Sequence, residues 1–321
     1  MTVKQRTKIV LWVALLGVAA WIAGAAQPAQ TVFDVDPGVG MLGAGGSGLS
    51  IVSGAETLYY NPAGLSELPG ISLSSFYASH FGLANYSAVA LTFRNWGVAA
   101  LLLGSTGIDG YDDAGNPTDA IAFRNTGFLF GAGVDPSSLA FLPNFAIDMS
   151  LGARIKVMTA QVGDDAGTGF SFDLGFRTVF PDMQIGPVPL SDIALGITTI
   201  NLFGDVAYDT LSNSYKMDIQ AGISARVADA ARVALDLHLG GSLHVGVIYE
   251  PIPTFALRAG LISRYGGLSL TAGLGVNVEG FLLDYAYVSH TLGGTHRVSL
   301  TLDFSSLDIT ALSRSMRRLL P

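Results

Sequence analysis

From residue 71 to residue 304 the chain repeats one pattern: a run of about ten residues in which apolar and polar side chains alternate, then a turn. Period-two alternation puts successive side chains on opposite faces of an extended strand. Leu268 to Val278 shows it most plainly. Leu268, Leu270, Ala272, Leu274, Val276 and Val278 share one face, and Ser269, Thr271, Gly273, Gly275 and Asn277 share the other. Tyr215 to Val227, Ile147 to Val157, Phe170 to Phe176 and His296 to Phe304 follow the same rule. The pattern predicts fourteen strands, at 71–79, 86–94, 97–106, 123–132, 147–159, 168–179, 192–203, 215–227, 231–239, 242–250, 254–263, 268–278, 281–290 and 295–304. An even count brings the first and last strand ends to the same side. Short turns at 95–96, 228–230, 251–253 and 279–280 then fall on that side, and the long acidic loop 108–120 falls on the other. Two longer connections, 135–145 and 181–190, also fall on the side of the short turns.

Alternating strands fit a soluble sandwich as well as a closed barrel, and composition separates the two. Half of the 321 residues are hydrophobic and 13% are charged, against about 25% charged in ordinary soluble domains. Much of the surface must therefore face something other than water. Lipid tolerates helices and closed barrels, because unpaired backbone groups are too costly there. After residue 25 no run approaches the ~20 consecutive apolar residues that a spanning helix needs. The expected fold is all-β, a transmembrane antiparallel β-barrel of about 14 strands in the bacterial outer membrane, with membrane lipid around it.

The one long apolar run is at the N-terminus. Lys4, Arg6 and Lys8 precede an apolar stretch from Ile9 to Ile22, and Ala23-Gly24-Ala25 is a small-residue cleavage signal. Residues 1–25 read as a secretory signal peptide. The expected organisation is a signal peptide at 1–25, an N-terminal hatch with a short helix at 26–70, the barrel at 71–304 and an amphipathic tail at 305–321. The chain has no cysteine, which excludes disulfides, thiolate metal sites and a cysteine nucleophile.

The charges fall on the polar face of the strands. Arg154, Lys156, Arg177, Lys216, Arg226, Arg232, Arg258 and Arg297 share it with Asp148, Asp173, Asp218, Asp236, Glu250, Asp284 and Asp303. Near-balance of sign suggests a lumen crossed by ion pairs, for which Arg154, Asp173, Arg177, Asp218, Arg226, Asp236, Arg258, Asp284 and Arg297 are the candidates. Aromatic residues near predicted strand ends, such as Tyr77, Trp96, Tyr249 and Phe281, suit the two interfacial girdles of a barrel.

Residues 33–69 do not alternate. Asp36-Pro37-Gly38 opens a turn, and a glycine run follows from Gly40 to Gly48. A short helix is expected over Leu49 to Tyr60, ended by Asn61-Pro62, since the residue before proline is pushed out of the helical region. The glycine run lacks a preceding strand and a following Gly-Lys-Ser/Thr, so a phosphate cradle is not expected. Close packing in a confined space is the better reading.

Gly43 to Gly46, the small-residue helix and Tyr60-Asn61-Pro62-Ala63-Gly64-Leu65 resemble the start of FadL-like barrels, and within them the PorV/PorQ type. Val245 to Tyr249, Leu257-Arg258-Ala259-Gly260, Leu270 to Gly275, Asp284-Tyr285-Ala286-Tyr287 and Leu292 to Leu300 resemble the closing strands of that type. The likeness covers about 40–65 and 243–304, and is architectural between them. It implies a 14-stranded barrel whose N-terminal segment enters the lumen as a hatch, with Gly46, Leu49, Tyr59, Tyr60, Asn61, Pro62, Ala63 and Gly64 as hatch or lumen candidates. It implies passive passage of hydrophobic small molecules, as in FadL-like members. A part in protein secretion or surface display, with secretion-system partners, is implied by the PorV type; a structural envelope role is a third reading. The segment Ser47 to Ser53 is shorter and more polar than the family helix, and the chain continues past the last strand's Phe304.

No further chemistry stands out. The histidines His80, His238, His244, His290 and His296 have no metal-ligand spacing, although His238 and His244 could face the lumen together. Ser242 near His244 is too little for a hydrolase, which needs nucleophile, base and orienting group in contact. Loop 108–120 concentrates oxygen ligands without the calcium-loop spacing of an EF-hand. No enzyme activity, cofactor, metal or nucleic-acid partner is expected. In the tail, Ile309, Leu312, Met316 and Leu319 recur at helical spacing, with Arg314, Arg317 and Arg318 in the last turns.

Overall fold

The computed structural model describes residues 31–305 apart from 113, 140–147, 164, 209–210, 265 and 292. The signal peptide, the tail helix and most of the 135–145 connection thus lie outside the described residues.

The fourteen wall strands are β1 Ser72–His80, β2 Ala84–Phe93, β3 Trp96–Tyr111, β4 Pro117–Val134, β5 Asp148–Val162, β6 Asp165–Phe180, β8 Val188–Tyr208, β10 Asp218–Val227, β11 Ala231–His238, β12 Ser242–Ile252, β13 Phe255–Arg264, β14 Gly267–Val278, β15 Phe281–His290 and β16 Gly293–Asp303. Two short strands, β7 Met183–Ile185 and β9 Leu211–Ser214, form hairpins on the two ends of β8. Each wall strand pairs antiparallel with the next, and β16 returns to β1, so the barrel is closed. Closure removes the unpaired edges that lipid would not tolerate. All fourteen predicted strands are present, several of them longer than the pattern suggested.

The alternation assigns the faces. On β14, Leu268 is 60% and Leu270 58% exposed, while Thr271, the next residue along, is 5% exposed. The apolar face looks outward and the polar face inward. No helix among the described residues is long and apolar enough to cross a membrane. Wall strands β3, β4, β5, β6 and β8 run 15–21 residues and β10 to β16 run 8–12, so the wall is taller on one side. The end where β1 starts and β16 finishes is called the near end below. The 181–190 connection is a hairpin there, with Met183, Ile185 and Val188 exposed.

The N-terminal segment from Thr31 to Gly70 is packed against the inner face of this wall. The expected helix over Leu49 to Tyr60 is corrected by the structure. Helix α1 covers Val39–Gly43 and helix α2 covers only Glu56–Tyr60. Gly54, at φ +46°, breaks the run, and residues 49–53 are extended or turn because their backbone is held by the wall. Proline does end α2: Asn61 is extended, and its side chain accepts from Ala63 N. The glycine run is ordered too, with Gly45 and Gly46 in the left-handed region that glycine tolerates.

Candidate functional site

The segment docks on glycines. Inward-facing glycines sit side by side on neighbouring strands, as Gly97 with Gly131, Gly133 with Gly152, Gly152 with Gly175, Gly196 with Gly222 and Gly246 with Gly260. At Gly152 a Cβ would come within 3.0 Å of Pro62 and Ala63 backbone, and at Gly246 it would meet the Ala44 carbonyl. Only a residue without a side chain lets the two backbones approach so closely. The period-two pattern already placed these glycines on the polar face; their pairing across strands needed the register.

Inward charges hold what the glycines admit. Arg154 donates to Leu58 O at 2.7 Å and to Tyr59 O, and Arg177 Nε donates to Ser50 O at 2.9 Å. Leu49 N donates to Asp236 Oδ2 at 2.9 Å, and Arg297 donates to Asp36 O. Asn61 Nδ2 reaches Leu49 O and Phe176 O, both at 2.9 Å. The structure therefore brings only some of the ion-pair candidates together. Arg154 meets Asp173 at 2.6 Å, and Arg258 meets Asp284 at 2.5 Å. Arg177 pairs with Glu67 of the segment, and Arg226 pairs at 3.4 Å with Asp192 and with Glu250 near the rim. Asp218 takes hydrogen bonds from Gln220 and Gly240 N, and Asp236 and Arg297 grip segment backbone. The polar-face pattern could not reveal this, because it carries no account of a backbone threaded through the lumen.

Within the segment, Glu56 accepts from Gly40 N at 2.6 Å and Met41 N at 2.9 Å. Burial pushes its carboxyl up to about 8, and nearby Asp284 adds to this against Arg258 and the two N–H groups. Asp36 takes the Tyr60 hydroxyl at 2.5 Å, and burial raises its carboxyl as well. Burial likewise raises the phenols of Tyr59 and Tyr60.

Above the segment, toward the far end, lies a cavity of about 310 Å³. Its floor is Phe33, Asp36, Gly46, Tyr59 and Tyr60, and its sides include Lys156, Asn201, Gln220, His238, Ser242 and His244. Of the hatch candidates, Gly46, Tyr59 and Tyr60 border it. Leu49, Asn61, Pro62 and Ala63 lie against the wall, and Gly64 packs on Val52 and Thr57 of the segment itself. His238 and His244 face the lumen together, their rings stacked at 4.4 Å. His244 is fixed by Gly45 O at 2.7 Å and Ser242 Oγ at 3.2 Å.

One side of the cavity is a break in the wall. Phe172 of β6 pairs with Phe203 of β8, and Leu174 pairs with Thr199, so Ile200, Asn201 and Leu202 stand opposite the single Asp173. On its other edge β8 meets β10 only up to Ile200–Asp218, and β9 takes over from Asp205. Asn201, at φ +54°, turns inward. Its backbone N–H donates to Asp173 at 2.7 Å, and its side-chain Oδ1 accepts from Lys156 at 2.7 Å and Ser171 at 3.0 Å. Outside, Phe203 stacks on Phe172 at 4.9 Å and lies 6.1 Å from Phe170. The break is polar within and aromatic without. The sequence marks the break only by a slip of phase, Ile193, Leu195 and Ile197 giving way across Thr198-Thr199 to Ile200 and Leu202; the pattern alone does not show what Asn201 binds.

No protein-family model matches the chain, and no curated protein sequence does. Among solved structures, the toluene transporter TodX of Pseudomonas putida covers 85% of this chain and 98% of its own, at 12% identity and TM-score 0.51. The toluene transporter TbuX of Ralstonia pickettii covers 83% and 96% at 13% identity and TM-score 0.49. The KdgM porin covers 73% and 99% at 8% identity and TM-score 0.36. The likeness to TodX is one of fold: this chain is built as an outer-membrane β-barrel.

Proposed function

We infer that the protein sits in the outer membrane and lets hydrophobic small molecules cross passively, with its N-terminal segment as a hatch. The observation that carries this reading is the cavity between that segment and the break in β8. A wall with an intact ladder offers a solute only the axis of the barrel. Here the axis is filled, at the near end, by segment backbone seated on paired glycines. The cavity instead borders Ile200 and Asn201, where three residues of β8 oppose one of β6. An apolar solute that enters from the far end reaches the Phe170, Phe172 and Phe203 cluster by crossing one strand, and meets hydrocarbon beyond it. Such passage needs no energy source and no cofactor, since the solute gains from leaving water.

The test is uptake by Gram-negative cells without a comparable transporter. Cells expressing the protein should take up a radiolabelled monoaromatic solute several-fold faster than cells carrying an empty vector. Equal initial rates at equal surface expression would overturn the transport reading.

A further inference from the structure

We propose that the cavity selects apolar molecules that carry an uncharged hydroxyl, such as a phenol, over hydrocarbons and over carboxylates. This rests on the transport reading above and narrows it. Three features of the lining carry it.

The first is the mixture of surfaces. Phe33, Tyr59, Tyr60 and Tyr215 give the cavity aromatic area, and Leu101 and Leu129 add aliphatic area. A ring would be buried here as it would be in a hydrocarbon site. A purely apolar guest, however, would also cover His238 and Gln220 and take them out of water with nothing in return. Desolvating a polar group without a replacement bond costs about 1–3 kcal/mol. A pocket built for hydrocarbons avoids such groups in its walls.

The second is His238. Its ring lies flat on that of His244, which is itself held by Gly45 and Ser242. The stack fixes the plane of His238, while its own nitrogens make no hydrogen bond among the described residues. An imidazole offers a donor and an acceptor. That pair of functions suits a hydroxyl, which can give and take one bond each. On the same side, Gln220 spends its amide N–H on Asp218 at 3.0 Å and keeps its carbonyl oxygen for a guest.

The third is the charge. Arg154 and Lys156 reach the cavity but are both bound to Asp173, at 2.6 and 3.0 Å. Asp36 is occupied by Tyr60, and Asp218 by Gln220 and Gly240. Lys216 and Arg264 border the cavity and are exposed to water. The charges named here are thus ion-paired, hydrogen-bonded or in water, and an ionised guest would lose hydration without meeting a free buried partner.

The experiment titrates the purified full-length barrel in detergent with toluene, p-cresol and p-toluate, by calorimetry or equilibrium dialysis. These probes share one ring and one methyl group and differ in the second substituent. The expected result is p-cresol binding at least tenfold tighter than either of the others. In His238→Phe, which keeps a ring to stack on His244, p-cresol should lose its advantage over toluene, and toluene should bind at least as tightly as to the parent, since no imidazole is left to desolvate. A circular dichroism spectrum equal to that of the parent shows that the variant is folded. Toluene binding as tightly as p-cresol would overturn the inference and leave the transport reading standing. So would p-cresol binding that ignores His238→Phe. Tighter binding of p-toluate would overturn it in favour of an anion site. No binding of any probe would overturn it too, and the uptake assay decides separately whether transport fails with it.

Discussion

Asp173 is the residue on which the wall break depends, and its replacement has a calculable consequence. Its side chain is fully buried and serves three partners. Arg154 lies at 2.6 Å, Lys156 at 3.0 Å and Asn201 N at 2.7 Å. Asp173→Asn keeps the shape and one acceptor oxygen but removes the charge. Arg154 and Lys156, whose side chains are each 4% exposed, are then left as two adjacent cations without the carboxylate that ion-pairs them. Removing one partner of a buried pair costs about 3–5 kcal/mol. Asp192 is the internal control. It pairs with Arg226 at 3.4 Å and Arg232 at 3.1 Å, but its side chain is 59% exposed. Solvent screens that contact, and Asp192→Asn should cost about 0–1 kcal/mol. Urea unfolding of the folded barrel, followed by far-ultraviolet circular dichroism, measures both. A second change, Lys156→Met, made in the Asp173→Asn background removes one orphaned cation and should recover part of the loss. Equal losses for Asp173→Asn and Asp192→Asn, or no recovery with Lys156→Met, would show that the cluster is not an electrostatic unit. By the same geometry Arg226, 28% exposed, is a rim residue whose reversal to Glu should cost less than loss of Asp173.

Three further outcomes are expected. Deleting residues 31–65 should leave a folded barrel with larger ion conductance in planar bilayers, and unchanged conductance would count against a hatch. Gly152→Val sets side-chain atoms against Pro62 and Ala63, and overpacking of this kind should cost about 1–3 kcal/mol in the same urea assay; Gly267→Val, exposed at the far end on ordinary strand backbone, serves as the comparison. Glu56 is raised from 4.5 to about 8 on folding, so the folded state holds its proton over a range where the unfolded chain has lost it. The stabilisation is complete below about 4.5 and is lost as pH rises to about 8. Glu56→Gln should flatten the fall in stability across that window, and a slope identical to the parent's would refute the assignment.

How much of this was legible in the sequence depends on what each feature asks of its neighbours. A wall strand needs only its own alternation, because one face meets lipid and the other a polar interior. Leu268 to Val278 therefore announces both its strand and its faces without reference to any other segment. The glycine seats are legible halfway. Gly127, Gly131 and Gly133 fall on the inward face of β4 by counting alone, yet that Gly133 meets Gly152, and Gly152 meets Gly175, is a fact of register. The helix over Leu49 to Tyr60 failed for the opposite reason. Its residues have tolerable helical propensity, but Leu49 N is taken by Asp236 and Ser50 O by Arg177, both from the wall. A backbone whose hydrogen bonds are satisfied by a surrounding wall has no need of a helix, and local propensity is overruled. The candidate site is the least legible part, since it is made where the rule is broken. Ile200 and Leu202 are out of phase with Ile193, Leu195 and Ile197, but that slip does not say which way the chain turns; Asp173, Lys156 and Ser171 from two other strands hold Asn201 inward. His238 and His244 could be placed together because they flank one short turn on neighbouring strands. That Gly45 holds one ring and leaves the other free required the segment to be threaded beside them.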